Sequence, residues 1–221
     1  MRRSRGALFG VVAVVLITGS AGSAAASNRS SKAPLSFSST SRTAIAEFDH
    51  TDGCLRRGVT VFGDKTSGKT PSKAPTTSTF GFLEVWVDDI CSDTRLKDEW
   101  GPFRPTRITV TNTNSAVLRG TVSIGGLEAP PSERTTYLVN LSWRRTGTVE
   151  RSRGMHNVKN PDGTHILDRS IFTFAAASVT GSIATKKQPS VNILAGLDAA
   201  GQLQYLRESY HVLRPQGKPP A

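Results

Sequence analysis

From about residue 43 to residue 213 the chain is a succession of short runs rich in branched and aromatic residues, interrupted by Gly, Pro, Asn, Ser and Thr. Such runs bury one face each and must pair into sheets, so the pattern predicts nine or ten short strands. The fold class expected is all-β: an antiparallel β-sandwich, with a closed β-barrel as the alternative. The clearest strand is TYLVNLSW, in which Tyr137, Val139, Leu141 and Trp143 share one face and Leu138, Asn140, Ser142 and Arg144 the other. TAIAEFDH, LRRGVTVFG, FGFLEVWVDDI, TRITVTN and AVLRGTVSIGG read as further strands, with TNTNS turning between the last two. NPDG at 160–163 suits a type I turn with a bulge, joining VERSRGMHNVK to THILDRSIFTFAA. SVTGSIATKK follows as a strand, and VNILAG and QLQYLRESYHVL read as a closing hairpin across DAAG, with a helix over 198–211 as the competing reading.

Two cysteines, Cys54 and Cys91, are the whole complement. They lack the CxxC spacing of redox sites and have no histidines at metal-ligand spacing, so a structural disulfide is expected. A hairpin in which Cys54 faces Cys91 would set Arg56 opposite Asp89, Arg57 opposite Asp88, Val59 opposite Trp86 and Thr60 opposite Val85. Opposite-charge and aromatic–branched pairs each add roughly 0.2–1 kcal/mol across strands, which favours that register.

The N-terminus has the layout of a secretory signal peptide: Arg2, Arg3 and Arg5, an apolar run from Gly6 to Ile17, then small residues ending at Ala26. Four segments are expected, namely a signal peptide over 1–26, a flexible stretch over 27–42, one β-rich domain over 43–213 and a disordered tail over 214–221. The expected location is extracellular, with no membrane association after cleavage near Ala26. Removing the leader takes three arginines from the 28 basic side chains and leaves 25 against 17 acidic ones. A net positive exported protein is drawn to anionic partners, here a wall polymer or an acidic glycan. The densest basic segment carries Arg144, Arg145, Arg151, Arg153 and Lys159, the candidate anionic-ligand patch. Aromatic residues for base stacking are nearly absent from it, which argues against nucleic acid. Arg151 and Arg153 equally suit a solvated edge strand that resists aggregation.

GDKTSGKT, Gly63 to Thr70, matches the pattern of a phosphate-binding loop. That loop must lead into a helix whose N-terminus faces the phosphates, and PSKAPTTST, with Pro75 inside any such helix, cannot supply one. The segment is expected to be a hairpin loop. His50 lies between Asp49 and Asp52 in a metal-capable group that also reads as a polar strand end. With the NPDG turn in place, His156 would face Asp168 and His165 would face Lys159, cross-strand pairs on an exposed hairpin. Asp88 and Asp89 are adjacent on a strand, point to opposite faces and cannot flank one bond. No HExxH, GxSxG or EF-hand loop occurs in the chain after the leader, so no catalytic residue, metal or cofactor is expected.

LSWRRTGTVERSRG, followed by a basic hairpin and SVTGSIA, resembles a group of small secreted actinobacterial proteins of unknown function. The resemblance spans about residues 105–186 and implies export and β structure, with no site residue to carry over. The leading expectation for function is a secreted, non-enzymatic protein binding at the cell surface or to an extracellular polymer. The alternatives are a barrel carrier of a small apolar ligand and a hydrolase with a dispersed site.

Overall fold

The computed structural model describes residues 35–126 and 128–213. The expected leader and the tail over 214–221 lie outside the described residues. Ten strands form one antiparallel sheet: β1 (Leu35–Asp52), β2 (Leu55–Thr70), β3 (Lys73–Asp89), β4 (Thr94–Phe103), β5 (Arg107–Thr111), β6 (Ser115–Ile124), β7 (Thr135–Arg145), β8 (Glu150–Lys159), β9 (His165–Thr185) and β10 (Asp198–Leu213). Their order across the sheet is β4-β3-β2-β1-β10-β9-β7-β6-β5, with β8 also paired to β9. The architecture is all-β, and no helix among the described residues is long and apolar enough to cross a membrane.

The sheet folds over on itself at β9. Residues 165–177 of that strand pair with β10, and residues 177–185 pair with β7. Gly181 sits in the second stretch at φ +132°, and a Cβ there would lie 2.1 Å from the Asn140 carbonyl oxygen on β7. Only glycine admits the two backbones so close in that conformation. The fold-over sets Ala44, Ala46, Phe48, Val61, Leu83 and Leu203 against Ile108, Leu118, Val139, Leu141, Trp143 and Ile183 in one core. Trp143 is buried and donates its indole N–H to the Ile45 carbonyl on β1 at 2.7 Å, satisfying its one polar atom within the core. The edges do not zip together into a barrel: β4 reaches the other end of the sheet through one isolated bridge, Trp100–Gly125.

The strand periodicity of TYLVNLSW is as expected, with Tyr137, Val139, Leu141 and Trp143 buried. The NPDG hairpin also has its expected register, with His156 opposite Asp168 and Lys159 opposite His165. The cysteines are joined, with Cα atoms 5.2 Å apart. Their hairpin, however, is slipped by one residue from the expected pairing. Arg56 faces Asp88, Arg57 faces Val87, Val59 faces Val85 and Thr60 faces Glu84. The ladder stops at Leu55–Asp89, and the Ile90 N–H donates to the Cys54 carbonyl. The Asp89 carboxylate accepts from the Cys91 and Ser92 N–H groups, so Cys91 lies in a capped turn and reaches Cys54 from outside the ladder.

Other boundaries also differ. Residues 35–42, expected to be flexible, form the first half of β1 between β2 and β10. The Gly63–Thr70 segment, expected to be loop, continues β2 as far as a tight turn at Pro71–Ser72. No helix follows it. The two strands expected over 165–185 are one, VNILAG is a series of turns, and residues 198–211 are strand. β4, TRLKDEWGPF, carries no strand signal in the sequence because it is charged and contains Gly-Pro. It is the edge strand beside β3, where such residues are tolerated.

Candidate anion-binding face

Six strands run well past the core and form a wing: residues 35–43 of β1, 64–70 of β2, 73–80 of β3, 150–159 of β8, 165–174 of β9 and 204–213 of β10. Cross-strand partners share a face, so the registers assign each side chain to one of two sides. The side continuous with the core holds Arg42, Lys65, Lys69, Arg151, Arg153, Lys159, Arg169 and Arg207, together with His165 and His211. Short of the bulge at the β2–β3 turn, it holds no acidic residue. The other side holds Asp64, Glu150, Asp168 and Glu208 and, over the same span, no lysine or arginine. Of the wing's thirteen charged side chains, Lys73, opposite Thr70 beyond the bulge, is the one outside this division.

The two faces also differ in how their charges are compensated. On the acidic side Asp64 accepts from the Ser41, Thr43 and Thr66 hydroxyls, and Glu208 from Ser39. The same side carries edge-on aromatic contacts, Phe37 with Tyr210 at 6.1 Å and Phe62 with Phe80 at 5.9 Å. On the basic side none of the eight lysines and arginines joins an ion pair among the described residues. Those pairs, Arg56–Asp49, Arg95 with Glu84, Asp88 and Asp98, and Lys97–Glu99, all lie toward the disulfide end of β1–β4. Arg42 lies over the Tyr205 ring at 5.5 Å and donates to Asn112 in the β5–β6 turn. A strand spacing of about 4.8 Å and a rise of about 3.4 Å per residue make the face roughly 24 by 27 Å.

Of the sequence-expected patch, Arg151, Arg153 and Lys159 lie on this face along the edge strand β8. Arg145 is on the same side where β7 ends against Ala177, while Arg144, paired to Ser178, points the other way. The structure thus divides the patch and adds residues from four other strands: Arg42, Lys65, Lys69, Arg169 and Arg207. Their signal in the sequence is period-two spacing, as in Lys65-Thr66-Ser67-Gly68-Lys69, concealed because that segment reads as a loop.

The remaining candidates occupy structural roles. Asp49 is bound by Arg56 at 2.6 Å, and His50, opposite Arg57, lies on the other face of β1, so the two do not converge on an ion. The one cluster of potential metal ligands among the described residues is Cys54, Asp89 and Cys91, and its sulfurs are joined to each other. His165 hydrogen-bonds Asn157. Inside the sandwich, the Tyr137 hydroxyl donates to Glu99 at 2.7 Å while the Lys97 ammonium donates to Tyr137 at 3.3 Å. Burial, then the Glu99 carboxylate, pushes the Tyr137 phenol upward and keeps it neutral. No protein-family model, curated protein or solved structure matches the chain.

Proposed function

We propose that the protein is an exported, non-enzymatic binding protein whose ligand is an anionic polymer, a wall polymer or an acidic glycan, lying across the basic face of the wing. The observation that carries this reading is the segregation of eight lysines and arginines, none in an ion pair among the described residues, onto one face free of acids. A single exposed ion pair contributes only about 0–1 kcal/mol. A polymer that spans several strands makes many such pairs for one loss of translational freedom, so avidity follows from the array. Tyr205 is the one aromatic on that face and already lies against Arg42. The absence of further stacking surfaces favours a polymer without bases over single-stranded nucleic acid.

The test is charge reversal on β8. Arg151→Glu with Arg153→Glu should leave thermal unfolding unchanged and abolish retention on immobilised sulfated glycan and on a phosphodiester polymer. Ser152→Glu, on the opposite face of the same strand, should leave retention intact. A folded double variant that elutes with the wild type would refute the assignment.

A further inference from the structure

The end of the sandwich opposite the wing holds a cleft of about 350 Å³ between the ends of β2, β3 and β4 and the 191–197 loop. Its apolar wall includes Val59, Val85, Val87, Ile193 and Leu197. Arg57 and Lys97 also line it, and they flank Val87 in one cross-strand row. The loop that roofs it is held in place. The Asn192 side chain accepts from the Ile183 and Leu194 N–H groups and donates to the Gly181 carbonyl, the Ile193 N–H donates to Ile183, and Leu194 is buried. A cleft with a fixed roof needs no ordering when a ligand enters, which removes one cost of binding.

The two cations are not equivalent. Lys97 is engaged, 3.2 Å from Glu99 and 3.3 Å from the Tyr137 hydroxyl. Arg57 is exposed and joins no ion pair among the described residues. An apolar trough ending at an unpaired guanidinium complements a molecule with an apolar body and one anionic head. A guanidinium meets a carboxylate with two parallel hydrogen bonds, so a carboxylate head suits this end of the trough. We propose that this cleft is a second binding site, separate from the basic face, for a small amphipathic carboxylate whose head pairs with Arg57 and whose apolar chain lies on the valine wall.

Isothermal titration of the full-length protein with octanoate, octanol and octylamine tests this. Octanoate should bind at one site, octanol about tenfold more weakly, and octylamine not measurably; one lost charge-assisted contact accounts for a factor of that size. Arg57→Gln should reduce octanoate to the affinity of octanol and leave octanol unchanged. Val87→Glu should lose both ligands, with the melting curve of each variant establishing that it is folded. Failure of octanoate to bind at millimolar concentration would overturn the proposal, as would unchanged octanoate affinity in folded Arg57→Gln. Displacement of octanoate by polyphosphate would also overturn it, because it would assign the fatty anion to the wing.

Discussion

Removing the three β8 cations should change the salt dependence of polyanion binding by an amount the sheet geometry fixes. A linear polyanion running along β8, β9 and β10 passes Arg151, Arg153, Lys159, Arg169 and Arg207, five fixed positive charges. Each phosphate neutralised releases condensed counterions, and five contacts on a flexible single chain give a slope of about −3.5 in log K against log salt. Affinity should then fall roughly a hundredfold between 50 and 200 mM sodium chloride. In the triple variant Arg151→Gln, Arg153→Gln, Lys159→Gln two contacts remain, so the slope should flatten to about −1.4 and the same change in salt should cost less than tenfold. Fluorescence anisotropy of end-labelled polyphosphate at fixed pH, titrated at four salt concentrations, measures both slopes. Loss of direct phosphate contacts changes the slope itself. A variant that binds more weakly at every salt concentration along a parallel line would show that β8 affects the site without contacting the polymer.

Two further outcomes rest on the other end of the molecule. Cys54 and Cys91, separated by 37 positions, close a loop whose loss on Cys54→Ser with Cys91→Ser should cost about 4 kcal/mol in denaturant unfolding under the chain-entropy estimate. Burial first, then the charge of Asp98, raises the Glu84 carboxyl above its ordinary 4.5, against the opposing pull of Arg95. A carboxyl raised by folding holds its proton more tightly in the native state, so its contribution is fully present below the unfolded value and is lost as pH rises through the folded one. Glu84→Gln should therefore raise the melting temperature at neutral pH, with the gain disappearing below about pH 4. A gain that persists at pH 3 would trace to packing instead.

The structure that is legible in the sequence is local. TYLVNLSW has period two, so one face had to be buried whatever it packed against. NPDG fixes a turn geometry, and the turn fixes the register on either side of it, which is why His156 faces Asp168 as expected. The Cys54–Cys91 hairpin had no such anchor. Its register signal in the sequence is cross-strand charge pairing, and contacts worth a fraction of a kcal/mol each do not outweigh a turn in which Asp89 caps two backbone amides. With the slip, Arg56 pairs with Asp49 and Asp88 with Arg95, partners on β1 and β4 that the hairpin alone does not contain.

By itself the sequence determined the all-β class, the disulfide partners and the side-chain alternation along each strand, because these depend on residue type and on spacing within a few positions. The tertiary structure decided that six strands extend past the core, that Arg42, Lys65, Lys69, Arg169 and Arg207 lie beside Arg151, Arg153 and Lys159, and that Arg144 does not. Those residues are as many as 165 positions apart in the chain. Which of two faces each occupies follows from strand register, where a shift of one residue exchanges the faces, and that register is fixed by the fold-over at β9 and by the turns that end each ladder.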